Sequence, residues 1–204
     1  MENVVFDMGN VLTKYTLADY IWNYAEDEEA FHLIKNQICG SVEWICMDRG
    51  TMTDEEAVAS INKRMPEKMW ALTERFIREF RMKQEPNPPM EALLAELKQQ
   101  GYNLYLMSNA SHRFRQFSRN IPSISYMDGI WISCENRYLK PEREAYLDFF
   151  EKMKLKPQTC FFVDDSPANI EAGMRLGMQG CVYHQDMDEL RKNLRAAGFL
   201  VEEG

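Results

Sequence analysis

The chain opens on a short apolar run, Val4-Val5-Phe6, that ends in one carboxylate, Asp7, and the turn pair Gly9-Asn10. That pattern predicts a buried strand with a polar group at its carboxyl end. From Leu17 to about Phe80 the period becomes helical. Leu17, Tyr20, Ile21 and Tyr24 share one face. Phe31, Ile34, Lys35 and Ile38 predict a second helix ended by Gly40, and Ser41 to Met47 a short third, broken at Arg49-Gly50-Thr51. Thr53-Asp54-Glu55-Glu56 is a capping box, in which Thr53 accepts from a first-turn N–H and Glu56 reaches back. Pro66 is placed to open a further helix lined by Met69, Leu72, Phe76 and Phe80.

Glu85-Pro86-Asn87-Pro88-Pro89 interrupts this pattern, because proline lacks a donor and keeps the preceding residue out of helix. Beyond it, helices and strands alternate. Met90 to Leu97 predicts a helix, Tyr102 to Met107 a strand, Ser111 to Arg119 a helix and Ile130 to Ser133 a strand. Pro141 is read as opening a helix, Thr159 to Val163 as a strand, and Ser166-Pro167 as capping and opening a helix that Gly177 ends. Gly180 to Tyr183 and Asp186 to Ala197 complete the series. Strands alternating with helices imply an α/β fold with a parallel sheet covered on both faces. The boundaries place a core in residues 1–14 and 86–204 and an all-helical insertion in 15–85.

Composition narrows the function. A net charge of -8 repels phosphate backbones and anionic membranes, so neither nucleic acid nor membrane is an expected partner. The five cysteines form no Cys-x-x-Cys pair and the three histidines lie far apart, which argues against a zinc site. Without a signal-peptide pattern or a long apolar run, the expectation is a cytoplasmic protein, monomer or homodimer, with reduced thiols.

Four polar points sit at or near strand ends: Asp7; Ser108 with Asn109; Lys140; and Asp164 with Asp165. Parallel sheets gather their ligands at that edge. Paired acidic strand ends with a lysine suit an oxygen-liganded Mg²⁺ next to a substrate phosphate. Lys140 offers positive charge, and Ser108 and Asn109 offer neutral donors.

These segments carry a family resemblance. Phe6-Asp7-Met8-Gly9-Asn10-Val11, Leu106-Met107-Ser108-Asn109, Lys140-Pro141-Glu142 and Phe162-Val163-Asp164-Asp165-Ser166-Pro167-Ala168-Asn169-Ile170 with Ala172-Gly173 stand in the order of four motifs. They resemble those of the haloacid dehalogenase-like hydrolase superfamily, in the subgroup (IA) with a helical C1 cap after the first motif. The resemblance implies a Rossmann-like core and an Mg²⁺-dependent phosphatase acting on a small phosphomonoester. Asp7 would be the nucleophile, forming an aspartyl-phosphate. The implied metal ligands are Asp7, the Gly9 carbonyl, Asp165 and, directly or through water, Asp164. Ser108 would hold phosphoryl oxygens, and Lys140 would neutralise phosphate and keep Asp7 ionised.

One position departs from the family. Most of its phosphatases carry an acid–base aspartate two residues after the nucleophile, where this chain has Gly9. Losing such a group costs about 10²–10⁴-fold. Three readings therefore stand: a slower phosphatase, a 2-haloacid dehalogenase-type hydrolase, or a phosphoryl-ligand binding protein. Asp-Met-Gly-Asn-Val resembles a sugar-phosphate branch that includes glucose-1-phosphate phosphatases, which favours the first. Substrate contacts are expected from the cap, with Trp44, Met47, Asp48 and Arg49 as candidates, the Trp44 face and Arg49 being suited to a sugar ring and its hydroxyls. His112 and Arg113 follow Asn109 closely enough to reach the pocket mouth, but an exposed helix start is the preferred expectation for them.

Overall fold

The computed structural model describes residues 1–14, 16–80 and 85–202. The chain enters through β1 (Asn3–Phe6), passes a tight loop and forms the two-residue β2 (Thr13–Lys14). Helices α1 (Leu17–Trp22), α2 (Glu28–Leu33), α3 (Val42–Arg49), α4 (Asp54–Asn62) and α5 (Trp70–Glu79) follow. After β3 (Glu85–Pro86) come α6 (Pro88–Gln99), β4 (Asn103–Ser108), α7 (Phe114–Phe117) and β5 (Gly129–Ile132). The chain ends with α8 (Ser133–Asn136), α9 (Arg143–Met153), β6 (Cys160–Asp164), α10 (Pro167–Arg175), β7 (Gln179–Val182) and α11 (Met187–Ala196).

Five strands form one parallel sheet in the order β5-β4-β1-β6-β7. β1 lies at its centre, so its residues are buried on both faces. Strand alternation divides them: Val4 and Phe6 join an apolar layer with α6 and α11, while Val5 joins Trp131, Tyr146, Phe149 and Phe162 under α9 and α10. The register sets Phe6 beside Leu106 and Val163, which brings the carboxyl ends of β1, β4 and β6 level.

The inserted helices bury an apolar cluster of their own, including Ile21, Ile34, Ile38, Ala57, Ile61 and Phe76. The Thr53–Glu56 capping box forms in full. β2 and β3 pair antiparallel, Thr13 opposite Pro86 and Lys14 opposite Glu85, so the chain leaves and re-enters the core through one ribbon. Asn87 anchors its end by donating from Nδ2 to the Val11 carbonyl at 2.9 Å.

The structure corrects four local expectations. The second helix continues from α2 into a π-helical turn, Ile34–Cys39, whose extra residue brings Cys39 to the wall of the central cavity. The helix expected over 111–119 shrinks to α7 and a 3₁₀ turn, because Pro122 keeps Ile121 extended and Phe114 and Phe117 are drawn into the core. Pro66 precedes a 3₁₀ turn, Glu67–Met69, and α5 starts only at Trp70. Pro141 lies in a turn closed by Glu142 N–H to the Leu139 carbonyl, so α9 starts at Arg143. No helix among the described residues is long and apolar enough to cross a membrane.

Two measurements test this packing. Gly50 ends α3 at φ 74°, and a Cβ there would lie 2.1 Å from the Cys134 carbonyl oxygen. Gly101 has φ 84° but open space around it. In urea denaturation, G101A is expected to cost about 1 kcal/mol and G50A about 2–4 kcal/mol, the excess being the clash. Separately, the Arg64 guanidinium beside the buried Glu43 holds its carboxyl down at about 2, assisted by the Ser60 hydroxyl. A folded-state value below that of a free glutamate stabilises the fold fully above about pH 4.5 and ceases to do so as pH falls through about 2. E43Q is therefore expected to lower stability by about 1–3 kcal/mol at pH 7, with the difference closing near pH 2.

Candidate active site

The level strand ends place Asp7 just after β1, Asp164 at the end of β6 and Asp165 next to it. One oxygen from each carboxylate lies within 4.8 Å of the others. Between Asp7 and Asp164 stands Lys140, 5% exposed. Its ammonium donates to Asp7 Oδ1 at 2.6 Å, Asp164 Oδ2 at 2.6 Å and the Met107 carbonyl at 2.8 Å. An ammonium has three protons, and all three have acceptors.

Electrostatics follow from burial and from this pairing. Burial pushes the Asp7 carboxyl up; Lys140 opposes it and Asp164 reinforces it, leaving Asp7 above the ordinary carboxylate value. Burial alone would lower the Lys140 ammonium, but the two carboxylates more than offset it and the balance is upward.

The two acidic residues after β6 differ in their surroundings. Asp164 is fully buried and receives Lys140, both contacts of the Asn169 amide at 3.0 Å, and the Ser166 N–H at 2.8 Å. Ser166 thus precedes α10 without capping it through its own side chain. Asp165 is partly exposed and receives the Asn10 amide at 2.8 Å. Asn10 itself sits at φ 59°, a left-handed position that asparagine tolerates. Its Oδ1 is buried without a partner, facing the same loop.

These donors suit a hard divalent cation. Oxygen ligands from Asp7 and Asp165, with the adjacent main chain at Gly9, match the preference of Mg²⁺ for carboxylate, carbonyl and water. No thiol or imidazole is among them.

Ser108 is buried at the end of β4 and lines the cavity above Asp7. Asn109 lines it too, but its side chain is occupied elsewhere. Its amide donates to the Lys140 carbonyl and accepts from the Lys140 N–H, both at 2.9 Å, so it fixes the loop that aims the lysine.

The cavity over this floor measures about 280 Å³. Its walls come from the insertion (Leu17, Cys39, Trp44, Asp48, Phe80) and from the segment after β4 (Ala110, Ser111, Arg113, Phe117). Trp44 is where the sequence places it. Arg49 is not among the lining residues: its guanidinium makes a two-pronged contact with Glu142, at 2.5 and 2.8 Å, tying α3 to the Lys140 loop. Beside it the Ser133 hydroxyl donates to the Asp48 carbonyl at 2.5 Å. Arg113, expected at an exposed helix start, is buried. It donates to Asp54 at 2.5 Å and lies 6.0 Å over the Trp44 ring. His112 is exposed as expected. Sequence reasoning gave no site role of their own to Asn10 and Asn169, and it preferred an exposed position for Arg113 over one at the pocket mouth. Asn10 and Asn169 stood inside quoted motifs, whereas Arg113 owes its place to a partner 59 positions away.

A family model described as haloacid dehalogenase-like hydrolase matches residues 1–177. The chain is 27% identical over 179 residues, 86% of each sequence, to a sesquiterpene phosphatase of Aspergillus oryzae. Its fold is similar to that of a HAD family enzyme from Bacteroides thetaiotaomicron in complex with magnesium and inorganic phosphate. That match has 20% identity and a TM-score of 0.72, covering 93% of this chain and 98% of the other. It is also similar to that of an L-2-haloacid dehalogenase from Xanthobacter autotrophicus, with 17% identity, a TM-score of 0.64 and coverage of 98% and 84%.

The weight on Lys140 can be measured. K140M removes the one ammonium among three carboxylates, and is expected to cost about 3–5 kcal/mol in urea denaturation. Millimolar Mg²⁺ is expected to restore part of that loss in the variant. An unchanged urea midpoint would show that the carboxylates are compensated by some other group.

Proposed function

The chain belongs to the haloacid dehalogenase-like hydrolases, and we propose that it is an Mg²⁺-dependent phosphatase cleaving a small phosphomonoester through an aspartyl-phosphate. The observation that carries this reading is the excess of negative charge at the strand ends: among the described residues, three carboxylates stand against one ammonium. Such a cluster favours a divalent cation and, with it, a phosphate. A dehalogenase carboxylate attacks carbon without metal and expels halide, and two additional anions would repel both the substrate and the leaving group. The fold is compatible with either chemistry, and the charge balance favours the phosphatase.

In this reading Asp7 attacks phosphorus in line with the ester oxygen. The Asp7 O–P bond forms as the P–O bond to the alcohol breaks. Water then attacks the aspartyl-phosphate, releasing inorganic phosphate and regenerating Asp7. Bound Mg²⁺ would offset charge on the transferring phosphoryl group, held by Asp7, Asp165 and the Gly9 carbonyl. Asp164, already surrounded by donors, would act through water and keep Lys140 in place. Ser108 and Lys140 would hold phosphoryl oxygens, with Asn109 fixing the Lys140 loop. With Gly9 in place of an acid–base aspartate, the leaving oxygen takes its proton from water. The helical insertion, residues 15–85, would act as a cap that closes over the cavity and limits entry of bulk water. Unpaired cysteines support a reducing, cytoplasmic setting.

Phosphate release from p-nitrophenyl phosphate and a panel of phosphomonoesters tests the reading. Turnover is expected with Mg²⁺ and not with EDTA. D7N is expected to lose about 10³-fold or more, and D165N to need a higher Mg²⁺ concentration for half-maximal rate. Activity surviving in D7N would remove Asp7 as nucleophile. Metal-independent halide release from a 2-haloacid would overturn the phosphatase reading.

A further inference from the structure

The last turn of α3 is seated on the core by three contacts. The Ser133 hydroxyl, at the start of α8, donates to the Asp48 carbonyl at 2.5 Å. Gly50 packs so closely on α8 that a Cβ there would lie 2.1 Å from the Cys134 carbonyl oxygen. Arg49 stands between these two anchors, so its main chain is fixed and its guanidinium is delivered to one place. It meets both carboxylate oxygens of Glu142, at 2.5 and 2.8 Å, and reaches the Arg137 carbonyl at 3.4 Å.

Glu142 in turn brackets the segment that carries Lys140. Its carboxylate accepts from the Leu139 N–H at 3.0 Å, and its own N–H donates to the Leu139 carbonyl at 2.7 Å. Lys140 and Pro141 lie between these two residues. Asn109 holds the Lys140 main chain from the β4 side. The Lys140 loop therefore has one restraint from the core and another that begins in the inserted helices and passes through Glu142. The Lys140 ammonium has to meet three acceptors at once, at 2.6, 2.6 and 2.8 Å. Charge-assisted hydrogen bonds of that length tolerate little displacement. A misplacement of about 1 Å at a reacting group can cost about 10²-fold in rate.

Neither Arg49 nor Glu142 lines the cavity. Their side chains are 30% and 36% exposed, so solvent screens the pair and its contribution to stability is modest. What the contact supplies is geometry, because two parallel N–H···O bonds fix a carboxylate in distance and in plane. We infer that Arg49 is a positioning residue: through Glu142, the seated α3 sets the Lys140 ammonium among Asp7, Asp164 and the Met107 carbonyl. The consequence for turnover rests on the phosphatase reading; the placement of the ammonium does not.

Four variants test this: R49M, R49K, E142A and R49M/E142A, each confirmed as folded by its circular-dichroism melt. The ammonium is followed directly in ¹⁵N–¹H spectra of labelled protein, with Lys140 assigned by through-bond correlation. A buried ammonium with three acceptors is shielded from exchange with water and gives a signal. That signal is expected in the wild type, weakened in R49M and E142A, and largely kept in R49K. Turnover is followed as phosphate release from p-nitrophenyl phosphate with Mg²⁺. R49M is expected to lower kcat about 10–100-fold while KM changes less than about threefold. R49K is expected to recover part of the loss. Because Arg49 acts through Glu142, the double variant is expected to be no slower than E142A alone. An unchanged ammonium signal in R49M would overturn the proposal. So would losses that multiply in the double variant, or a rise in KM at constant kcat, which marks a direct contact with substrate. A weakened signal in R49M, beside a wild type that releases no phosphate, would support the positioning and overturn the phosphatase reading. Mg²⁺-dependent turnover with kcat unchanged in R49M would do the reverse.

Discussion

The site depends on one buried ammonium. Lys140 touches a carboxylate from the loop after β1, another from the end of β6, and a carbonyl from β4. Three adjacent strands of the sheet therefore meet through one side chain. Removing charges from water is costly, and such a cluster survives only when every proton and lone pair has a partner. The surrounding bonds supply those partners for Lys140 and Asp164. Asn109 fixes the Lys140 main chain, and Asn169 and the Ser166 N–H complete Asp164.

That cluster also explains the division of labour between neighbouring aspartates. Asp164 faces inward, surrounded by donors, and is part of the scaffold. Asp165 faces the cavity with the single side-chain contact from Asn10 and keeps capacity for a ligand. Two consecutive residues point to different surroundings because they follow the end of a strand, where side chains alternate before the helix begins. The same geometry keeps chemistry and recognition largely apart. The floor comes from strand ends, and much of the wall comes from helices with their own apolar cluster.

Much of this was legible in the sequence because it is local. The capping box, the apolar runs and the carboxylates at strand ends are set by residues a few positions apart. The five strands of the parallel sheet emerged within a residue or so of their expected bounds, whereas the pairing of β2 with β3 was not expected. What the sequence did not disclose depends on partners far along the chain. Arg49 and Arg113 look alike on local grounds, as cations near breaks in structure. Yet Arg49 is drawn out to Glu142, 93 positions on, and Arg113 is drawn in to Asp54 and Trp44. The π-helical turn escaped for a different reason. One inserted residue barely disturbs an i, i+3, i+4 pattern, yet it decides which side chain, Cys39, reaches the cavity.

The ribbon of β2 and β3 has a mechanical consequence. Two separate flexible tethers would let the inserted helices swing, twist and slide against the sheet. Here the outgoing and returning strands are bonded to each other, and Asn87 secures the base of the ribbon to the Val11 carbonyl. A pleated two-stranded strip resists shear along its length and bends most easily across its face. The two crossings between the core and the helices are thereby joined into one connection. The Arg49–Glu142 contact is a second tie between the insertion and the core, joining α3 to the Lys140 loop.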